Sequence, residues 1–155
     1  MRFIEGLQSK EGGFSRTGTR TPMQWSRDEN LGFSTAPAES LYLPVDSAPD
    51  APTVEEQEQD ENSMLHTVRE IIALRQAHED LQANGPFEVL YAEKNAYPFV
   101  YKRGRFVAAV NPSGKEVQAP VPCNGNPVFA IGSSRLSADG IVLAPQSFVL
   151  VECAI

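Results

Sequence analysis

The hydrophobic pattern of the chain changes character twice, the second time at Pro86. Over residues 63–82, apolar residues recur at spacings of three and four, which predicts an amphipathic helix. Asn62 or Ser63 is placed to cap the first turn, and the Ala-Asn-Gly-Pro run that follows is typical of a helix end. We therefore expect one helix within 62–83, with a single apolar stripe that docks on another surface.

Beyond Pro86 the period of the pattern becomes two, and short apolar segments continue to Cys153. Arg103-Gly104 predicts a hairpin turn in which the glycine adopts a positive φ, and the Asn-Pro-Ser-Gly run at 111–114 predicts a second turn. Short strands separated by turn signals, with no further helices, favour an antiparallel β-sandwich. The sequence thus predicts a mainly β fold preceded by one helix.

The segment before the helix shows no regular period. Glycines interrupt 1–17, prolines argue against a helix in 34–61, and the acidic run at 55–61 is expected to be a solvated linker. The predicted divisions are 1–61 for the irregular segment and acidic linker, 62–83 for the helix, and 86–155 for the β-domain.

Within the irregular segment, the stretch Gly18–Phe33 is predicted to be an ordered functional loop, because it combines an arginine, a glutamine and large apolar residues without helix or strand period. Arg20 carries a fixed charge and a planar set of donors, which suits either a carboxylate or sugar hydroxyls. The sequence does not distinguish between two roles for Arg20, a structural salt bridge and a contact with a ligand. We expect Met23 and Trp25 to anchor the loop to a core, with a pocket wall as their alternative role.

Composition and charge narrow the functional classes. The chain has 155 residues and a net charge of −7, which lies in the acidic front part, whereas 63–155 are balanced. Without a basic patch we expect no nucleic-acid partner, and without an apolar run of ~20 residues we expect no membrane span. The start at Met1 lacks the apolar core of a signal peptide, so the expected location is cytoplasmic.

Few residues offer chemistry of their own. Cys123 and Cys153, the only cysteines, lack the spacing of a zinc site; free, partly buried thiols are expected, and a disulfide is left open. His66 and His78 lie about 120° apart around the predicted helix, so they are expected to be surface or half-buried histidines. The sequence has no metalloprotease, nucleophile-elbow or phosphate-loop motif. We expect no catalytic residue, no metal and no cofactor.

The loop residues resemble a known family. Gly18–Trp25 and Asn30–Ser34 resemble the loop after the eighth barrel strand in the α-amylase superfamily of glycoside hydrolases, within the branch of α-glucosidases, oligo-1,6-glucosidases and trehalose synthases. Residues 62–75 are similar to the eighth barrel helix of that family, and the segments around Phe99–Tyr101 and Leu143–Leu150 are similar to its C-terminal β-domain. The resemblance implies the remnant of a TIM barrel followed by that domain.

The resemblance also implies a role for Arg20. In this family, the matching arginine is expected to line the glucose subsite at the non-reducing end, beside an aspartate from an earlier barrel loop. The catalytic carboxylates belong to earlier barrel strands, which this sequence does not contain. We therefore expect a C-terminal piece that is inactive alone and meets an α-glucoside oligosaccharide only within the parent barrel. The resemblance does not separate hydrolysis from isomerisation.

Two other functional classes stay open. A carbohydrate-binding module would need an exposed aromatic row, for which Tyr91, Tyr97, Phe99 and Tyr101 are candidates, although their alternation with valine and leucine favours a core. A structural or assembly module would use the helix stripe and residues 1–61 to reach a partner. Because a fragment isolated from its barrel would leave the barrel-facing surface uncovered, we expect either disorder in parts of 1–61 or burial of that surface through self-association.

Overall fold

The computed structural model describes residues 20–46 and 48–153, together with two short strands at 10–11 and 14–15. Its α-helices are α1 (Val54–Gln59) and α2 (Met64–Ala77). The chain divides into two compact units, with the boundary between Glu70 and Ile71. The predicted three-part division stays a prediction.

Within the described residues, the strands make up three antiparallel sheets. In chain order they are β1 (Lys10–Glu11), β2 (Phe14–Ser15), β3 (Glu88–Tyr91), β4 (Phe99–Arg103), β5 (Phe106–Asn111), β6 (Val117–Ala119), β7 (Asn126–Ile131), β8 (Ser134–Ser137), β9 (Gly140–Leu143) and β10 (Ser147–Glu152). β1 pairs with β2. A five-stranded sheet has the order β3-β4-β5-β10-β7, and a three-stranded sheet has the order β6-β9-β8. The predicted mainly β fold is confirmed.

The core of residues 71–155 is built from both larger sheets. Val100, Val149 and Val151 of the five-stranded sheet share one apolar cluster with Ile141 and Leu143 of the three-stranded sheet, and none of these side chains is exposed. β-Branched residues suit this position because their stiff side chains pack well on a pleated surface. Burial of this shared cluster therefore holds the two sheets together.

The hairpin between β4 and β5 also fixes the connection that leads into the β-domain. Gly104 adopts φ +54, which confirms the predicted hairpin, but the two turn residues are Gly104 and Arg105, one position later than predicted, because Arg103 still pairs with Phe106. The guanidinium of Arg103 donates to the carbonyl oxygens of Asp80, Gln82 and Gly85. One side chain thus binds three successive points of the segment that joins α2 to β3.

Helix α2 begins as predicted, but it ends at Ala77 and not near Gln82, because the chain becomes extended at His78. The helix also docks only in part. The hydroxyl of Ser63 accepts a hydrogen bond from the backbone N–H of His66 at 3.3 Å, which caps the helix. Leu74 packs against the cluster that contains Phe106 and Leu150. Four other apolar side chains of the predicted stripe are exposed: Met64, Val68, Ile71 and Ile72.

The prediction that 1–61 has no regular structure is wrong at α1 and at the β1–β2 pair. The Thr53 hydroxyl accepts from the backbone N–H of Glu56, and the Glu56 carboxylate accepts from that of Thr53, both at 3.2 Å. This reciprocal capping box starts a helix immediately after the prolines that seemed to exclude one. Neither α1 nor α2 is long and apolar enough to cross a membrane.

Candidate functional site

The described part of the predicted loop, residues 20–33, presents its larger side chains outward. Arg20 is exposed, and Met23, Trp25 and Phe33 are 54%, 51% and 48% exposed. The prediction that Met23 and Trp25 anchor the loop to a core is therefore wrong in this chain. Gly18, at the start of the predicted stretch, lies outside the described residues.

A left-handed turn shapes the end of this loop. Asn30, Leu31 and Gly32 adopt φ values of +51, +56 and +67, a conformation that costs roughly 1–2 kcal/mol for a side chain such as that of leucine. The backbone N–H groups of Trp25 and Ser26 both donate to the Leu31 carbonyl, at 2.8 and 3.2 Å. Hydrogen bonds from the preceding loop residues thus hold the turn in a strained backbone conformation. Such strain concentrates at functional sites.

The side chain of Asn30 stabilises the same turn from the other side. Its amide donates to the carbonyl oxygens of Ser34 and Ala36, at 3.0 and 2.7 Å. Asparagine is one of the few residues that tolerate a positive φ, so Asn30 serves the turn through both its backbone and its side chain. The described loop therefore has one defined shape.

The loop backbone fastens directly to the start of helix α1. The N–H groups of Val54 and Glu55 donate to the carbonyl oxygens of Gln24 and Trp25, both at 3.0 Å. The first N–H groups of a helix have no partner within the helix, so the loop supplies what the helix start requires. Helix α1 and the loop consequently stabilise one another.

A bidentate ion pair reinforces the junction between the loop and helix α1. Arg27 donates from Nε and Nη2 to the two carboxylate oxygens of Glu56, at 2.8 Å each, and from Nη2 to the Ala51 carbonyl at 2.9 Å. The hydrogen bonds from Arg27 lower the pKa of Glu56, and those from Thr53 add to the effect, while partial desolvation opposes it. The same pairing raises the pKa of Arg27. Both shifts favour the ionised pair.

The Arg27–Glu56 pair predicts a pH dependence. Because the pKa of Glu56 is lower in the folded chain, its contribution is complete above the ordinary value of 4.5 and is lost as the pH falls through the lower folded value. We expect Glu56→Gln to reduce thermal stability slightly near neutral pH, and the difference from wild type to shrink below pH ~4. Fluorescence of Trp25, the only tryptophan, reports the junction during the melt.

The matched control is Glu55→Gln, which removes the same charge one residue earlier, outside the ion pair. It is expected to leave the pH dependence of wild type almost unchanged. Identical pH profiles for Glu56→Gln and Glu55→Gln would show that the ion pair does not hold the loop.

The histidines have the predicted half-buried exposure, but His78 lies just after the end of α2 at Ala77 and not on the predicted helix. His66 and His78 are half-buried, and His78 Nδ1 lies 2.9 Å from Nη2 of Arg105. Both cysteines are free, with Cys123 buried and Cys153 half-buried. Within 20–46 and 48–153, no group of three or more histidine, cysteine, aspartate or glutamate residues is placed to hold a metal ion.

Of the aromatic residues proposed for a carbohydrate-binding face, Phe99 and Tyr101 contact one another. Tyr91 packs partly against the core between the sheets, and Tyr97 is 49% exposed. Tyr101 contacts both Phe99 and Phe87, with ring centroids 5.4 Å apart in both cases. The half-buried Tyr101 also packs against the second apolar cluster of the β-domain.

Comparison with known proteins decides the family. A family model described as the alpha-amylase catalytic domain matches residues 4–84, just over half of the chain. The chain belongs to the alpha-amylase family. Oligo-1,6-glucosidase IMA3 of Saccharomyces cerevisiae is 32% identical over 130 residues, which cover 81% of this chain and 21% of that enzyme. Trehalose synthase of Thermus thermophilus is 39% identical over 82 residues, or 50% of this chain and 8% of that enzyme.

Structural comparison agrees with this family. The crystal structure of trehalulose synthase MutB from Pseudomonas mesoacidophila MX-45 matches 89% of this chain and 26% of its own, with a TM-score of 0.75 at 21% identity. At that identity the match shows the fold alone. The resemblance noted in the sequence is thereby confirmed, and this member of the alpha-amylase family spans about a fifth of the length of the yeast relative.

Sequence reasoning missed the pair that fixes the loop. Arg27 and Glu56 are 29 positions apart, and no local period links them. A signal for half of the arrangement was nevertheless present. Thr53 followed three residues later by Glu56 is the pattern of a capping box, which predicts a helix start and places Glu56 in an ordered turn.

Proposed function

We propose that this chain supplies a substrate-pocket loop and a stabilising β-domain to an α-glucoside-acting enzyme of the alpha-amylase family. The observation that carries the proposal is the loop at 20–33, whose backbone is fastened to α1 while Arg20, Met23, Trp25 and Phe33 are exposed. A loop that serves only the fold would turn its large apolar side chains inward, because their burial stabilises a protein. This loop does the opposite, as a pocket wall would.

In the proposed site, Arg20 orients the sugar. Its guanidinium offers several donors in one plane, which match the hydroxyl oxygens of a glucose ring and an aspartate from elsewhere in the enzyme. Trp25 and Phe33 offer flat apolar faces to the C–H groups of the ring. The rigid turn at Asn30–Gly32 would keep these faces in position before substrate arrives, so that binding requires little ordering of the loop.

We propose further that the catalytic carboxylates lie outside this chain. Retaining glycoside hydrolysis requires two carboxyl groups about 5–5.5 Å apart, one of them free to exchange a proton. Four carboxylates near the loop have structural partners instead: Glu56 with Arg27, Glu58 with Arg69, Asp28 with Ser26, and Asp60 with the backbone of Asn62. These four carboxylates therefore have structural roles in the fold.

The test is turnover of a chromogenic α-glucoside by the purified chain. We expect no release of the chromophore above the background of buffer, because one wall of a pocket positions a sugar but does not break its glycosidic bond. Turnover that disappears in Arg20→Ala would overturn the proposal.

The exposed stripe of α2 supports a second element of the proposal, namely that this surface packs on the rest of the enzyme. Met64, Val68, Ile71 and Ile72 follow one helical face and are 39–70% exposed. In the chain alone, we propose that a second copy covers this apolar face. Ile72→Lys is expected to shift the chain from dimer to monomer in light scattering, whereas the exposed Glu70→Ala should leave the dimer intact. A wild-type monomer at every concentration tested would contradict this element.

A carbohydrate-binding surface is the second candidate function, favoured by the contiguous rings of Phe87, Tyr101 and Phe99. Phe87 is 58% exposed, so this row offers one open ring backed by two half-buried rings. Under this alternative, Phe87→Ala would abolish retention of the chain on immobilised α-glucan, while Arg20→Ala would leave retention unchanged.

A further inference from the structure

The two cysteines of the chain meet in the β-domain. Sγ of Cys123 lies 4.0 Å from Sγ of Cys153, although the residues are 30 positions apart. Cys123 is 2% exposed in the connection that follows β6, and Cys153 is half-buried immediately after β10. Both positions belong to the compact unit that begins at Ile71.

Backbone pairing, rather than side-chain conformation alone, brings these residues together. Asn126 of β7 pairs with Glu152 of β10, so the chain just after Cys123 runs beside the chain just before Cys153. Between them, Gly125 approaches so closely that a Cβ there would lie 2.2 Å from the Glu152 carbonyl oxygen. The short separation of the sulfurs is therefore a consequence of the sheet.

Each cysteine is anchored to a different sheet. The backbone N–H of Cys123 donates to the carbonyl of Ser137 in β8, at 3.0 Å, within the three-stranded sheet. The N–H of Cys153 donates to the carbonyl of Arg105 at the β4–β5 turn of the five-stranded sheet, at 2.9 Å. A covalent bond between the sulfurs would consequently join the two sheets at this end.

We propose that Cys123 and Cys153 form a redox-modification site, in which a small-molecule disulfide converts the two thiols into a disulfide that cross-links the sheets. The thiolate of the more exposed Cys153 attacks one sulfur of the small disulfide, and the other sulfur leaves as a thiolate that takes up a proton. Cys123, after losing its proton, then attacks the Cys153 sulfur of the mixed disulfide and releases the second small thiol. Two protein thiols are oxidised and one small disulfide is reduced to two thiols.

Formation of the disulfide requires only a small movement of the two cysteine sulfurs. A disulfide bond is about 2.05 Å long, so the sulfurs must approach by roughly 2 Å, which rotation of a cysteine side chain or a slight shift of the Cys123 connection supplies. Burial and the neighbouring Cys123 raise the pKa of Cys153, whereas Lys102 opposes the rise. The first step is therefore expected to accelerate with increasing pH, because the thiolate is the attacking species.

The experiment treats the full chain at micromolar concentration with oxidised glutathione and counts thiols after unfolding. We expect two thiols to fall to none while the chain stays free of intermolecular disulfides, and peptide mass spectrometry to identify a Cys123–Cys153 link. Closure of the intervening loop is expected to raise the melting temperature by about 5–10 °C, reversibly on addition of dithiothreitol.

Cys123→Ser separates the two steps, because Cys153 is then expected to stop at a stable mixed disulfide with glutathione. Cys153→Ser is expected to react much more slowly, since only the buried Cys123 is left. A wild-type chain that accumulates glutathione on both cysteines, links to a second chain, or keeps both thiols in excess oxidised glutathione would overturn the proposal. The thermal shift of the wild-type chain gives an answer even if a variant fails to fold.

Discussion

Replacement of Asn111 by alanine is expected to lower the free energy of unfolding by about 3–4 kcal/mol. Asn111 is fully buried at the end of β5, and its amide donates to the carbonyl oxygens of Lys115 and Ala144 at 2.7 and 2.8 Å. Its side-chain oxygen accepts from the backbone and the hydroxyl of Ser113. Alanine leaves these groups without their partner in a site closed to water, and buried polar groups without a hydrogen bond are costly.

The contacts of Asn111 also explain why its replacement should destabilise more than the turn after β5. Ala144 directly follows β9 of the three-stranded sheet, whereas Asn111 ends a strand of the five-stranded sheet. The amide therefore ties the two sheets together across the core. We expect the melting temperature to fall by about 6–15 °C in a calorimetric or circular-dichroism melt.

Two further variants make the Asn111 prediction specific. Asn111→Asp keeps the acceptor for Ser113 but turns an anionic oxygen toward carbonyl oxygens, so a loss at least as large is expected. The exposed Asn124→Ala removes the same amide from the connection between β6 and β7, at the opposite end of β10, and should change stability by less than about 0.5 kcal/mol. If Asn111→Ala were as stable as Asn124→Ala, the amide would not tie the sheets together.

Gly140→Ala is expected to cost about 3 kcal/mol or more, for a different physical reason. Gly140 opens β9 with φ +148, a region that other residues rarely adopt, and a Cβ there would lie 2.3 Å from the carbonyl oxygen of Ala119. Ala119 is itself paired with Ile141, so its backbone cannot withdraw without breaking the β6–β9 ladder. Strain and overlap therefore act together.

The control for Gly140 is Gly114→Ala, which introduces the same methyl group where nothing lies within 4 Å. We expect Gly114→Ala to be close to neutral and Gly140→Ala to melt at least 6 °C lower, measured under the same conditions. Equal melting temperatures for the two variants would mean that β6 and β9 do not approach one another as described.

The sequence was sufficient where local signals and tertiary structure agree. The β4–β5 hairpin was predictable because Gly104, which fits a positive φ easily, lies between two runs of period two; the exact turn residues, Gly104 and Arg105, were predicted one position too early. Helix α2 was predictable from its apolar spacing and from Ser63 as its cap. β8 was missed because its short Ser-Arg-Leu-Ser sequence has one apolar residue, and its pairing with β9 determines its conformation.

The sequence predicted that the candidate site is a loop, but it did not predict the backbone conformation of the loop or the direction of its side chains. The resemblance singled out Arg20, but its role as a substrate contact stays a prediction. No local pattern indicates that Leu31 adopts a left-handed conformation, since that conformation depends on hydrogen bonds from Trp25 and Ser26. The outward direction of Trp25 was also beyond sequence reasoning, because a loop has no period that shows which of its side chains face a core.

The proposed role of this chain is tested most directly by glucose release from 4-nitrophenyl α-glucoside, measured with the purified wild-type chain beside Arg20→Ala and Arg27→Ala. The melting profile and the fluorescence of Trp25 first establish that each protein is folded. We expect a folded wild-type chain with no turnover above the buffer background, because we propose that the loop positions a substrate while the catalytic carboxylates lie elsewhere. Sustained turnover by the wild-type chain that Arg20→Ala abolishes without loss of folding would contradict it.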